Sequence, residues 1–323
     1  MVSAGGSIPK RSLNGTTKAW RLAASLCRSA GQGLLLFCLA GSVLAKDLVA
    51  PMDKSQWYIS ASIFECSIVH DIPLYGKGIF YHEAGEPLRF YTTALRNPMK
   101  PGKAALVVEA SDWRPGTQIQ DLGYVDVIES DKPIHVEAAR SMSMMQGLLE
   151  GMFPTFTRQA VYKDESIRVR LNSINFASVY DAYLECVSGL LPVNFRQVER
   201  TRVHFAVDKS IMTKDDKTAL NNLILYVKAD STVSAVYVDG HTDSSGRRIY
   251  NRRLSKDRAE VVTAYLIKHG IAADIIQTRY HGESYPVIDN KTKANKAKNR
   301  RSTVRLVRGD PGLVPEGDGS DAE

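Results

Sequence analysis

Between Trp57 and about Phe176 the apolar residues recur mostly at every second position, in short runs cut by turn residues. Ala105-Leu-Val-Val-Glu109, Tyr124-Val-Asp-Val-Ile128, Ile134-His-Val-Glu137 and Ile167-Arg-Val-Arg-Leu171 have the alternation of strands with one buried and one wet face. Tyr75-Gly76, Gly85-Glu-Pro87, Pro98 to Gly102 and Arg114-Pro-Gly116 supply the turns. The pattern predicts a β-rich domain of sandwich or barrel-like form. One helix is expected over residues 177–187, where Tyr180, Tyr183, Leu184 and Val187 share a face and Gly189 and Pro192 end it.

Residues 191–202, with Pro192 and mixed charge, read as a junction. Beyond it the period lengthens. Strands are expected at residues 202–207, 233–240, 275–281 and 303–307. Helices are expected at residues 215–229, with Ala219, Leu220, Leu223 and Val227 inward, and at 252–268, with Leu254, Val261, Val262, Tyr265 and Leu266 inward. The order β-α-β-α-β-β predicts a layered α/β sandwich. The expected organisation is therefore a leader over residues 1–45, a β-rich docking domain over 46–195, an α/β domain over 196–308 and a disordered acidic tail over 309–323.

Charge revises the first impression. The 323-residue chain has a formal charge of +7, but Lys10, Arg11, Lys18, Arg21 and Arg28 all precede an apolar run that ends at Leu44-Ala45. A basic start, a short apolar run and Val43-Leu-Ala45 are the marks of a cleavable secretory signal, the run being too short for a membrane span. Cys38 lacks the small residue before it that a lipoprotein signal needs, since Phe37 stands there. Residues 46–195 hold 14 basic and 18 acidic groups, whereas residues 196–309 hold 23 and 12. A basic domain ordinarily suggests nucleic acid, but an exported one meets an anionic envelope polymer instead. Of the four cysteines, Cys66 and Cys186 remain after the leader, either as a disulfide or as two buried thiols; an oxidising compartment favours the disulfide.

The densest chemistry lies in Val238-Asp-Gly-His-Thr-Asp-Ser-Ser-Gly246, Asn251 and Leu254-Ser-Lys-Asp-Arg258-Ala259. Asp243 falls in a loop after a strand and Arg258 near the start of the next helix, Ser255 being placed at its N-cap or first turn. An acid and a base held together form a receptor for a zwitterion, Asp243 taking an ammonium and Arg258 a carboxylate. They could equally bridge each other and tie loop to helix. His204, His241 and His281 lack the tight spacing of metal ligands, and Ser244-Ser245 beside His241 form no nucleophile elbow. The expectation is a binding protein with no catalytic residue, metal or cofactor, and no nucleic-acid partner.

Gly240-His-Thr-Asp243, Tyr250-Asn251, Leu254-Ser255-x-x-Arg258-Ala259 and Asn299-Arg-Arg301 resemble the OmpA-like peptidoglycan-binding family, over essentially all of residues 200–308. The resemblance implies that Asp243 and Arg258 bind the diaminopimelate side chain of peptidoglycan, with Thr242, Asn251, Leu254 and Arg301 lining the same pocket. His204-Phe205-Ala206 departs from the family's Phe-Phe-Asp, so affinity would be lower or would lean on Asp208. Trp57-Tyr58, Phe64-Glu-Cys66, His70-Asp-Ile-Pro73, Tyr75-Gly76 and Phe80, with Cys186 late, resemble the MotY family of sodium-driven flagellar motors. That resemblance implies a periplasmic ring around the flagellar basal body, a MotX-like partner and support for the stator complex, with Tyr75, Phe80, Phe90 and Tyr91 as candidate interface aromatics. The competing expectation is a general envelope tether to peptidoglycan with no motor role.

Overall fold

The computed structural model describes residues 45–309 apart from Asp112. The expected leader, save Ala45, and the expected tail, save Gly309, lie outside the described residues. The first half runs β1 (Lys46–Leu48), β2 (Trp57–Ala61), β3 (Glu65–Ile72), β4 (Gly76–Glu83), β5 (Arg89–Ala94), β6 (Gly102–Glu109), β7 (Gln120–Val127), β8 (His135–Val136), α1 (Ala138–Leu149), β9 (Phe153–Gln159), β10 (Ser166–Arg170) and α2 (Phe176–Ser188). Its strands form two five-stranded sheets, β1-β10-β9-β6-β7 and β2-β3-β4-β5-β8. Neither sheet closes on itself, so of the two forms expected the sandwich is the one adopted. The inward residues of both sheets share one core, with Phe90 of β5 stacked on Phe156 of β9 at 5.7 Å between ring centroids. Each such ring, fully buried, stabilises the fold by roughly 1.5–3 kcal/mol.

The alternating pattern concealed one helix. In α1, Met144, Met145 and Leu148 pack into the core, and Gly147 lies so close to β6 that a Cβ there would meet Val108 Cγ1 at 2.3 Å. Helix α2 packs across β2 and β3, where Trp57 meets Phe176 edge-on at 4.8 Å. It carries Cys186 to Cys66 on β3, and the two form a disulfide with Cα atoms 6.0 Å apart and a sequence separation of 120. Tyr75, Phe80 and Phe90 are all buried, so three of the four candidate interface aromatics belong to the core. Sequence alternation identifies an inward face but not which aromatic is covered by the second sheet. Tyr91 alone is half-buried, beside Tyr81 and His135.

The second half runs α3 (Phe195–Val198), β11 (Arg200–His204), α4 (Lys214–Ala229), β12 (Val233–Gly240), α5 (Arg248–Lys268), β13 (Ile276–Tyr280), α6 (Lys293–Asn299) and β14 (Arg301–Arg308). The sheet order is β11-β14-β12-β13, antiparallel except for the β12–β13 pair. Val236, Val238, Val304 and Leu306 point from the sheet toward Leu220, Leu223, Val262 and Leu266 on the two long helices. Helix α6, in the basic run 291–301, is an insertion between the last two strands that the expected β-α-β-α-β-β order lacks. The junction is itself ordered: Asn194 caps α3 in a capping box with Gln197, and Phe64 from the first half packs at a tilt against Tyr226 of α4, 5.7 Å between ring centroids.

Candidate functional site

Gly240 ends β12 at a point where a Cβ would lie 2.1 Å from the Ser255 carbonyl oxygen of α5. Only glycine lets strand and helix approach this closely. The loop that follows, His241 to Gly246, is thereby laid over the first turns of α5. The helix begins at Arg248, a turn earlier than expected, because Arg247 enters it without a side-chain cap. Ser255 is therefore not the N-cap; it lies inside α5, donating to the Arg252 carbonyl at 2.7 Å and accepting from the Gly282 N–H at 2.9 Å. Its role is to hold the 281–285 loop against the helix.

Thr242, Asp243, Asn251, Leu254 and Arg258 line one small cavity of about 70 Å³, together with Val207, Asp208, Ser245, Tyr250 and Arg300. Arg258 is fully buried. Its Nε donates to the Lys209 carbonyl at 2.9 Å, and its two terminal nitrogens donate to His241 and Ala206 carbonyls, each at 3.1 Å. The Phe205 ring lies under the guanidinium at 5.2 Å. Three of the five N–H groups are thus satisfied by backbone, leaving two in a cavity with no carboxylate bonded to them. Burial, and after it the neighbouring Arg300, push Arg258 down to about 10. It still carries its charge at neutral pH.

Asp243 and Arg258 do not bridge each other. Asp243 accepts from Arg300 at 2.9 Å and from the Ser245 N–H at 2.8 Å. Burial alone would raise its pKa, but those hydrogen bonds outweigh burial and hold the carboxyl below its ordinary value. Asn251 donates to Glu283 at 2.7 Å and to the Asp243 carbonyl at 3.4 Å, fixing the loop from below. Asp208, in the left-handed region at φ 56°, meets the Tyr250 hydroxyl at the rim. Thr242 Oγ1 is buried with no hydrogen-bond partner, although its own N–H bonds the Gly282 carbonyl. A buried hydroxyl left unsatisfied is costly unless something else fills its valence.

Arg301 is the expected pocket residue that the cavity does not contain. It opens β14, whereas Arg300, the residue that ends α6 just before the strand, lines the cavity. The terminal nitrogens of Arg301 donate to the Asn299 carbonyl at 3.4 Å and the Tyr285 carbonyl at 3.1 Å. Reading Asn299-Arg-Arg301 as a motif could not say which arginine turned inward. The departure at Ala206 is also clarified. Position 206 serves Arg258 through its carbonyl, which any residue supplies.

His241 and His281 do converge, stacked at 4.9 Å, with His281 bonded to Asp239 at 2.9 Å. Among the described residues no group of three or more His, Cys, Asp or Glu side chains could hold a metal ion. Two larger clefts, of about 740 and 520 Å³, lie in the first half; the bigger is lined by Leu95, Ile128, Val161 and Tyr162 among others. Neither gathers a buried acid and base as the 243–258 cavity does. No helix among the described residues is long and apolar enough to cross a membrane.

Residues 48–192 match the MotY N-terminal domain and residues 204–300 the OmpA family. The sodium-type flagellar protein MotY of Vibrio parahaemolyticus is 29% identical over 286 residues, which is 85% of this chain and 96% of that protein. The chain carries a MotY N-terminal domain followed by an OmpA-family domain. Outer membrane porin F of Pseudomonas fluorescens is 41% identical over 99 residues, 31% of this chain and 30% of the porin, so its likeness is to the OmpA-family half alone. The solved peptidoglycan-associated lipoprotein of Burkholderia pseudomallei covers 33% of this chain and 90% of its own at 25% identity, with a TM-score of 0.32. The MotY N-terminal domain contributes Cys66 and Cys186, and the OmpA-family half contributes every residue of the cavity.

Proposed function

We propose that this chain is a non-catalytic, envelope-located anchor of a flagellar motor, held to peptidoglycan through the cavity between Asp243 and Arg258. The observation that carries this reading is the buried Arg258 guanidinium, oriented by three carbonyls and offering its remaining donors to a cavity it shares with an ionised acid. The free end of diaminopimelate bears one ammonium and one carboxylate. Arg258 receives the carboxylate, Asp243 with Asp208 the ammonium, and Thr242 supplies a hydroxyl that is otherwise unpartnered. Asn251 and Leu254 shape the wall, and Arg300 takes the place first given to Arg301.

The first half docks the chain to a ring at the basal body through a MotX-like partner, and the assembly supports the stator complex. With Tyr75, Phe80 and Phe90 in the core, the apolar side chains open to a partner are Leu95, Ile128 and Tyr162 at the larger cleft. The chain is exported by its leader. Retention on purified peptidoglycan tests the site: Asp243→Asn should abolish it and free diaminopimelate should compete with the native chain. Unchanged retention of the variant removes the assignment. Imaging of a tagged chain tests the setting, with foci at the flagellar base expected; a uniform peripheral signal would favour a general envelope tether.

A further inference from the structure

Helices α4 and α5 cover one side of the second-half sheet; the other side carries a different chemistry. Cross-strand register sets Arg200 of β11 directly opposite Arg305 of β14, and Arg305 opposite Tyr237 of β12. Tyr237 is covered by two guanidiniums, Arg279 at 4.8 Å and Arg305 at 4.5 Å from its ring centre. Arg202 stands two residues along β11 from Arg200 on the same face, and both are exposed. The acid of this face, Asp239, is already bonded to Arg279 at 2.7 Å and His281 at 2.9 Å. Among the described residues no carboxylate pairs with Arg200, Arg202 or Arg305.

Like charges placed directly opposite on adjacent strands oppose folding. Arg305 is compensated in part by the Tyr237 ring beneath it, but among the described residues Arg200 and Arg202 have no such contact, which points to an external anion. The cations are arginines, whose planar fork matches phosphate oxygens two at a time. Protein partners are held by apolar and aromatic side chains at the centre of an interface. Here the aromatic ring lies beneath guanidiniums, and around it the face carries His204, the buried Arg301, Gln277, Thr303 and the small or half-buried Ala235 and Val307. The surface is spread over four strands with no cavity, so it fits a flat array of anions better than a single small one.

We propose that the Arg200, Arg202 and Arg305 face docks on the phosphate headgroups of an anionic membrane surface, independently of the wall-binding cavity. The test is co-sedimentation of the full chain with vesicles of phosphatidylglycerol and phosphatidylcholine, against phosphatidylcholine alone. Binding should require the anionic lipid and weaken with salt. Combined Arg200→Gln, Arg202→Gln and Arg305→Gln should weaken it by roughly tenfold or more. The same variant should remain folded, relief of the cross-strand repulsion offsetting loss of the Arg305 contact with the Tyr237 ring, and should keep its retention on peptidoglycan. Equal vesicle binding by variant and native chain overturns the proposal, as does native binding no stronger to anionic than to neutral vesicles. Binding that emerges only when residues 310–323 are deleted also overturns it, since the face would then belong to that acidic segment.

Discussion

Asp243 bonds Arg300 at 2.9 Å rather than Arg258, its expected partner on α5. The acid is thereby kept ionised by a base at the cavity wall, while Arg258 is held by carbonyls and stays available. Arg300→Gln should weaken peptidoglycan retention and change its pH dependence. Asp243 has a lowered pKa, so its charge persists above the ordinary carboxylate range and is lost only as pH falls beneath it. Without Arg300 only the Ser245 hydrogen bonds oppose burial, and the loss begins at higher pH. Retention measured from pH 7 to pH 3 should show the acid limb displaced upward in the variant; superimposable limbs would separate Arg300 from Asp243.

Arg258→Ala is expected to destabilise the chain as well as abolish binding. Removal of a fully buried guanidinium strands the carbonyls of Ala206, Lys209 and His241, a loss of about 3 kcal/mol or more. Arg258→Lys should rescue little, since one ammonium cannot reach three diverging acceptors. Denaturant midpoints of both variants check this. A stable Arg258→Ala protein would mean that water replaces the guanidinium.

The strand Val233–Gly240 coincides with the span expected from its apolar run, because one face of it is buried by helices of strong 3.6-residue period. Helix α1 was hidden for the opposite reason: Ser141-Met142-Ser143-Met144 alternates like a strand, and only the burial of Met144, Met145 and Leu148 reveals the helical face. The cavity was legible as a set of residue types, yet not as a set of bonds. Thr242, Asp243, Asn251, Leu254 and Arg258 meet there, and the inward alternation of Val304 and Leu306, traced back to the residue before β14, would have chosen Arg300 over Arg301. Burial of Tyr75, Phe80 and Phe90 depends on the second sheet, whose partner strands are distant in sequence.

Reduction of the Cys66–Cys186 bond should lower the thermal midpoint of the chain. The bridge joins β3 to α2 across 120 residues, and closing a loop of that size restricts the unfolded chain by about 4–5 kcal/mol in the entropic model. Cys66→Ser and treatment with dithiothreitol should have the same effect and not add. Retention on peptidoglycan by folded protein should be unaffected.

Acid should destabilise the chain through its buried histidines. Burial, then Arg301, push His241 down to about 4, and burial also lowers His70. The unfolded chain takes up these protons below pH 6.5 while the folded chain refuses them, so stability is full above 6.5 and falls toward pH 4. His241 accounts for at most about 3 kcal/mol of this. Denaturant midpoints at pH 7 and pH 4.5 should differ, and the difference should shrink in His241→Gln.

The seam between the halves offers the last prediction. Arg308 lies 3.9 Å over the Phe195 ring and 5.4 Å from that of Tyr226, and its Nε donates to Asp230 at 2.8 Å. Phe64 reaches this cluster from the first half, while Arg196 bonds Glu83 at 2.7 Å and Gln197 bonds the Gly85 carbonyl at 3.0 Å. Apolar and polar contacts thus cross together, and the halves should unfold as one cooperative unit. Phe64→Ala removes a ring shared by both and should cost about 2–3 kcal/mol, less than a fully buried phenylalanine because Phe64 is half-buried. Calorimetry should then resolve two transitions in place of one, and protease should cut near residues 190–194. A single transition in the variant would mean that the polar bonds alone couple the halves.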